Sequence, residues 1–161
     1  MGDTKAKSKK ALATDVWQTI AGFALARVQR GPHLAMLREL GLTPGHLKAL
    51  SVLDPDEPRP MKAMSDALMC DPSMATWFVD RLEEKGLVER RPLPSDRRVK
   101  TVVLTPRGVR TRAMVTAALF EPPDELLALD SERLEALSAA LASLPRTENP
   151  FWPSGPRSVS S

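Results

Sequence analysis

Three cationic side chains lie in or just after the turn predicted over residues 94–98: Arg97, Arg98 and Lys100. Guanidinium groups bind phosphate oxygens, and they also fit the minor groove of DNA, where the electrostatic potential is most negative. The neighbouring Asp96 is out of place beside phosphates unless its carboxylate orients one of the arginines. These residue types favour contact with a polyanion, and the spacing alone leaves a solvated turn open as the alternative.

A second group of polar residues shares one face of the helix predicted over residues 72–85. At 100° per residue, the core face of this helix is formed by Ala75, Phe78, Val79 and Leu82. The opposite side carries Ser73, Trp77, Asp80 and Glu84, with Thr76 and Arg81 on its flanks. The two hydroxyls could hydrogen-bond to base edges or phosphates, and the indole could contact a thymine methyl group. Packing of Trp77 against a neighbouring loop or a partner subunit is the alternative.

The elements around these residues predict a helix-turn-helix followed by a hairpin. Residues 61–68 form a short amphipathic helix, and the helix over 72–85 is closed by Gly86 in the position that glycine prefers after a helix. Two β-prone runs, 87–93 and 99–104, flank a turn rich in Pro, Ser and Asp. The charged residues therefore stand at the tip of the hairpin.

Further helices are predicted on both sides of this module. They cover residues 14–30, 33–40, 44–53, 106–120 and 131–144, and a loop is predicted over residues 54–60. The last helix carries an apolar row at a/d-like spacing that needs a partner, formed by Leu134, Leu137, Leu141 and Leu144.

Composition limits the class of protein. The 161 residues suit one domain, and the single cysteine fits a reducing compartment, so we expect a cytoplasmic protein. The Lys-rich start precedes an apolar stretch, but Asp15 and Gln18 interrupt it, and no run is long enough to span a membrane. Residues 81–112 hold ten Lys or Arg and four Asp or Glu, a local charge of +6 in a chain of net charge +3.

Enzyme motifs are missing from the sequence. It contains no nucleophile elbow, phosphate loop or metal-binding helix motif. His33 and His46 with the single Cys70 make a poor zinc set, and we interpret Cys70 as a small buried residue. The sequence therefore predicts a protein that is not an enzyme and has no metal and no cofactor.

Five motifs in order resemble the multiple-antibiotic-resistance regulator (MarR) family. They are LTP at 42–44, DPSMATWFVDRLEEKG at 71–86, LVER at 87–90, DRR at 96–98 and LTPRG at 104–108. The resemblance covers roughly residues 14–144. It implies a mainly α fold with a small β-hairpin wing, a winged helix-turn-helix with flanking dimerisation helices.

The resemblance also implies roles for individual residues. It places Ser73, Thr76, Trp77 and Arg81 in the major groove of DNA. It places Arg98 in the minor groove with Asp96 steadying it. Asp71 and Arg81 match positions that join a salt-bridge network near the wing. Trp77 departs from the pattern, because relatives often carry a smaller or basic residue there.

The family implies a homodimer formed by the first and the C-terminal helices. We expect a basic arm over 1–10, dimerisation helices over 11–40 and 106–144, a winged helix-turn-helix over 43–104, and a flexible tail over 145–161. The expected dimer contacts are Val16, Ile20, Phe23, Leu134, Leu137, Leu141 and Leu144. Two-fold symmetry predicts double-stranded DNA with a pseudo-palindromic operator as the partner.

Similar proteins release DNA when a small effector is detected. We therefore expect a repressor that responds to a small aromatic or phenolic compound, in a cleft lined by Trp17, Arg27, His46 and Met114. The alternative is a winged-helix module that binds another protein through Trp77 without DNA sequence specificity.

Overall fold

The computed structural model describes residues 8–93 and 96–145, without the side chain of Arg97. The chain forms eight helices and three strands within these ranges. They are α1 (Lys9–Arg30), α2 (His33–Glu39), α3 (Pro44–Ser51), β1 (Arg59–Pro60), α4 (Met61–Leu68), α5 (Pro72–Glu84), β2 (Val88–Leu93), β3 (Asp96–Leu104), α6 (Pro106–Phe120), α7 (Asp124–Leu127) and α8 (Ser131–Ala142). The strands pair antiparallel in the order β1-β3-β2. The expected fold class, mainly α with a small hairpin wing, is confirmed.

Side-chain caps explain why the helices begin where the sequence predicts. The Asp71 carboxylate accepts a hydrogen bond from the Met74 amide, and Thr105 accepts one from Gly108. In both helices a proline follows the cap, where its fixed φ suits the first turn and its missing N–H leaves no bond unmade. Gly86 ends α5 with a φ of 65°, a left-handed conformation that glycine adopts at little cost.

The first helix is longer than the sequence predicts. It begins at Lys9 rather than near residue 14, because the Ser8 hydroxyl accepts a hydrogen bond from the Ala11 amide and caps it. Residues 9 and 10 of the expected arm are therefore helical. Residues 1–7 of that arm, and residues 146–161 of the expected tail, lie outside the described residues.

Residues 59 and 60 do not belong to a loop, as the sequence predicts for 54–60. Arg59 pairs with Val102, and Pro60 pairs with Thr101 in β1, at the edge of the sheet. Proline is tolerated there because an edge strand leaves one row of backbone groups unpaired. The third strand likewise begins at Asp96, so Asp96 and Arg98 belong to the strand and not to the turn.

The C-terminal part of the chain differs from the expected single helix. A separate short helix, α7, precedes α8, and α8 ends at Ala142. Leu144 therefore lies beyond the helix rather than continuing its apolar row. Among the described residues, no helix combines the length and the apolar content that a membrane span requires.

The core lies between the helix-turn-helix, the sheet and the start of α6. The core face predicted for α5 is confirmed: Ala75, Val79 and Leu82 are fully buried, and Phe78 packs against them partly buried. Other core residues are Leu37, Leu47, Leu50, Met64, Leu68, Leu87, Val102 and Val115. This core holds α5 and the hairpin together as one unit.

Gly108 lies where the start of α6 crosses the backbone before β2. A Cβ atom at Gly108 would overlap the Leu87 carbonyl oxygen, which also accepts a hydrogen bond from the Thr105 amide. We expect Gly108→Ala to lower the free energy of unfolding by about 2 kcal/mol or more, measured by urea denaturation. Gly22→Ala is the matched control: a Cβ there meets nothing within 4 Å, so alanine should stabilise helix α1 by roughly 0.5–1 kcal/mol. A Gly108→Ala variant as stable as wild type would contradict this close packing.

Candidate nucleic-acid interface

Two hydroxyl side chains stand on the exposed face of α5. The Ser73 hydroxyl donates to the Asp71 carboxylate, and the Thr76 hydroxyl donates to the Pro72 carbonyl oxygen at 2.8 Å. Both residues are exposed. Since their protons are used within the helix, their oxygen atoms remain as acceptors toward an outside ligand.

Arg81 lies on the flank of the same helix, partly exposed, and its guanidinium is held by contacts within the subunit. Its Nη1 is 3.0 Å from Glu84 Oε2, and its Nε and Nη2 each donate to the Gly41 carbonyl oxygen at 3.4 Å. Among the described residues, neither Asp71 nor Arg81 forms the expected salt bridge near the wing. Asp71 caps α5 instead, while Arg81 joins α5 to the turn after α2.

Trp77 lies in the middle of the exposed face, with 52% of its surface accessible. Its ring centroid is 4.8 Å from that of His46 and 5.2 Å from that of Phe78. The contact of Trp77 with a thymine methyl group stays a prediction. The indole packs against its own subunit, and about half of it still faces outward.

The hairpin tip carries Asp96, Arg98 and Lys100, all of them exposed. The Asp96 carboxylate accepts a hydrogen bond from the Arg98 backbone amide at 3.0 Å. Asp96 thus steadies the backbone of the tip, and the expectation that it orients a guanidinium stays a prediction. Arg97 lies in β3, and its side chain falls outside the described part of the structure.

An ion-pair cluster fixes the hairpin to α5. Arg90, on β2, pairs with Asp80 at 2.5 Å and with Glu83, which also accepts the Arg90 backbone amide at 2.9 Å. Asp80 lies one turn after Thr76 and Trp77, so this cluster places the hairpin beside the exposed face of α5. Sequence reasoning missed Arg90. The sequence shows only that two acids near the end of α5 precede an arginine beyond Gly86, and this order does not indicate that they pair.

The ion pairs also remove an electrostatic obstacle. Carboxylates on α5 would repel phosphates, yet Asp80 and Glu83 face Arg90, and Glu84 faces Arg81. Hydrogen bonds from the Ser73 hydroxyl and the Met74 amide lower the pKa of Asp71, so it stays ionised. The first two turns of α5 therefore present hydroxyls and an indole, and the capping Asp71 adds one ionised carboxylate at their start.

Two buried histidines lie on either side of this module. Burial lowers the pKa of His46, and the Arg81 guanidinium acts in the same direction. Burial likewise lowers the pKa of His33, with a smaller contribution from Arg27. Both rings are therefore neutral at neutral pH. His33 Nδ1 and His46 Nε2 have no hydrogen-bond partner among the described residues.

The four residues expected to line an effector cleft have different surroundings. Trp17 and Met114 are exposed on α1 and α6. The Arg27 guanidinium donates to carbonyl oxygens at the end of α6, those of Ala118, Leu119 and Glu121. His46 is buried in α3, where its Nδ1 accepts the Thr43 amide. Two of the four therefore have structural roles within the subunit.

In the described ranges, no three His, Cys, Asp or Glu side chains are grouped so that they could hold a metal ion. Cys70 is partly buried and has a free thiol. It packs against the core from the turn of the helix-turn-helix, as expected for a small apolar residue.

Fold and site together define a class of protein. A capped helix with a polar outer face, followed directly by an arginine-tipped hairpin, is the winged helix-turn-helix arrangement. Comparisons with known proteins agree with this class. The MarR family model matches residues 42–100. A protein of Thauera aromatica, assigned as the transcriptional regulatory protein for the hcr operon, is 32% identical over 118 residues, which cover 70% of this chain and 71% of the relative.

Solved structures show the same fold. The crystal structure of YusO from Bacillus subtilis matches with a TM-score of 0.63 at 25% identity, over 84% of this chain and 96% of YusO. A MepR mutant of S. aureus, solved with an oligodeoxyribonucleotide bound, matches with a TM-score of 0.64 at 20% identity, over 81% of this chain and 93% of MepR. The chain belongs to the MarR family of winged-helix transcriptional regulators.

Proposed function

We propose that this chain is a homodimeric, sequence-specific DNA-binding repressor. The observation that carries the proposal is the joint exposure of the polar face of α5 and of the Arg98 tip on one rigid module, with Arg90 linking the two. Such a module has the shape and the charge to meet two neighbouring grooves of one duplex. The oligodeoxyribonucleotide in the related MepR structure supports the choice of partner.

In this proposal α5 enters the major groove. Ser73, Thr76 and Trp77 meet base edges, and Arg81 leaves the Gly41 carbonyl to reach a base or a phosphate. Arginine is the commonest specific contact to guanine in that groove, because its fork matches two acceptors. The pairing with Glu84 is exposed, so breaking it costs little, and the released carboxylate lies at the last residue of α5, away from the first two turns.

The wing contacts the neighbouring minor groove. Arg98 inserts its guanidinium where the potential is most negative, while Arg97 and Lys100 contact the phosphate backbone. The hydrogen bond from the Arg98 amide to Asp96 fixes the direction in which the tip projects. These contacts add affinity, and they carry part of the specificity through groove width.

The proposed dimer forms through helices that have little core of their own. Neither α1 nor α8 contains a buried residue in the single chain. Apolar side chains are exposed on both, and an open groove on α7 and α8 is lined by Leu126, Leu134, Leu137, Ser138, Leu141 and Ala142. A second copy would cover this apolar surface. The two-fold axis then predicts operator half-sites about one helical turn apart.

We also propose release by a small aromatic or phenolic effector. Arg112 donates from α6 to the Leu53 carbonyl at 2.5 Å, and Arg27 holds the other end of α6. These contacts connect the DNA-binding module to α1. A ligand that wedges beside α6, near exposed Met114 and Trp17, would shift the module relative to the dimer axis.

Salt dependence separates DNA binding from a protein-binding module. We expect the logarithm of duplex affinity to fall linearly with the logarithm of salt concentration, with a slope of about −0.9 for each phosphate contacted. Fluorescence anisotropy with labelled duplexes from 50 to 200 mM salt measures the slope. A slope near zero, or failure of every duplex in a random pool to bind, would contradict the proposal in favour of a Trp-centred protein interface.

A further inference from the structure

Three rings form a cluster at the centre of the candidate interface. The His46 and Trp77 planes are tilted by 47°, and Phe78 meets each of the other two edge to face with centroids 5.2 Å apart. Such arrangements of rings are attractive beyond their buried area. This aromatic cluster supports the indole from within the subunit and leaves about half of it open.

Helix α3 fixes the cluster to the backbone. His46 Nδ1 accepts the Thr43 amide at 3.0 Å, which completes the capping box of α3. Gly45 gives the Phe78 ring room, because a Cβ at that position would collide with it. The indole is therefore ordered before any ligand arrives, and binding costs it little further conformational entropy.

The buried imidazole gives up a hydrogen bond in this arrangement. Since Nδ1 accepts a hydrogen bond, the neutral ring carries its proton on Nε2, and that atom has no partner among the described residues. An unpaired buried polar atom costs free energy and calls for an explanation. We explain the unpaired Nε2 by the contact between His46 and the indole. A neutral imidazole at this position supports the Trp77 ring without adding a charge.

We infer that Trp77 is a specificity-determining residue that reads the C5-methyl group of a pyrimidine in the major groove, with His46 as its positioning residue. The inference rests on the proposed function. Thymine is the one unmodified base that presents a methyl group in that groove. An ordered apolar ring flanked by the hydroxyls of Ser73 and Thr76 gains from burying such a methyl. 5-Methylcytosine carries the same group at the same position and should be read in the same way.

The test removes single methyl groups from the DNA. Duplexes bound by the full chain are selected from a random pool, and deoxyuridine then replaces thymine at each symmetry-related pair in turn. Burial of one methyl carbon corresponds to about a fourfold change in affinity. Removal of both symmetry-related methyl groups should therefore weaken wild-type binding roughly 15-fold. Trp77→Ala should bind the thymine and deoxyuridine duplexes within about twofold of each other.

Two further arms test the methyl group and the role of His46. At the sensitive pair, a duplex with 5-methylcytosine should bind wild type more tightly than its cytosine counterpart, and Trp77→Ala should not distinguish them. His46→Gln keeps an acceptor for the capping box but removes the ring. We expect a melting temperature near wild type and a thymine preference reduced to below about fivefold. A purely structural role would weaken both duplexes equally and leave their ratio unchanged.

The outcomes separate the inference from the proposed function. If wild type binds selected duplexes but no thymine replacement alters its affinity, or if the methyl preference persists in Trp77→Ala, the inference is overturned and the DNA-binding function stands. If no duplex of defined sequence is selected, both are overturned. A preference that depends on both Trp77 and His46 supports the inference.

Discussion

Arg98→Ala is expected to weaken operator binding at least tenfold without unfolding the protein. One guanidinium in a groove contributes roughly 1–3 kcal/mol, and a dimer loses two of them. The side chain is exposed and makes no side-chain ion pair among the described residues, so its removal leaves no buried group unpaired. Gel-shift titration on a selected duplex measures the loss, and the melting temperature reports on the fold.

Arg133→Ala is the matched control for Arg98→Ala. Arg133 lies on α8 with 74% of its side chain exposed, and it faces Asp130 at 3.5 Å. The Arg133→Ala substitution removes the same charge from a surface that is assigned no DNA contact. Its affinity for the duplex should therefore stay within about twofold of wild type. If both variants lost the same affinity for the duplex, the effect of Arg98→Ala would come from the change in net charge alone. Unchanged affinity in Arg98→Ala would contradict the wing assignment.

Leu137→Asp is expected to separate the two subunits. Leu137 lines the open groove on α7 and α8, and a carboxylate there would be buried against the partner without a cation. Light scattering should show a monomer at micromolar concentration. Operator affinity should fall by a factor of 100 or more, because a monomer reaches one half-site and loses the gain from simultaneous binding.

Met69→Asp is the control for that variant. Met69 is more exposed than Leu137, at 74%, and lies in the turn of the helix-turn-helix. Its φ of 54° is left-handed, a conformation that aspartate tolerates. This variant should remain a dimer. If Leu137→Asp also remained a dimer, or if wild type were a monomer, α8 would not form the interface.

The sequence predicts well those features that depend on neighbouring residues. The start of α5 at Asp71-Pro72 and its end at Gly86 follow from local backbone chemistry, and the structure has them as expected. The core face of α5 follows from helical periodicity in the same way. The exposure of Ser73 and Trp77 is the reverse of that face, so it was predictable too.

The parts that the sequence could not predict depend on contacts between distant residues. Arg90 meets Asp80 and Glu83 only after the chain has turned back along α5. Pairing of Arg59 with Val102 joins residues 43 positions apart, and two residues are too few to show a strand pattern. The aromatic cluster likewise needs α3 to pack against α5. No local rule predicts any of these, because each is set by the packing of the whole module.

Helix α6 has a mechanical consequence for the operator. With 15 residues it spans about 22 Å, from the end of the sheet to the Arg27 contacts, at 1.5 Å per residue. A tilt of about 10° at the far end of such a lever moves its sheet end by roughly 4 Å, which exceeds the 3.4 Å between stacked base pairs. In the proposed dimer, a small rotation would therefore displace one DNA-binding module by about one base-pair step. We expect a duplex with one base pair inserted between the half-sites to keep its affinity only if α6 can tilt by about this angle.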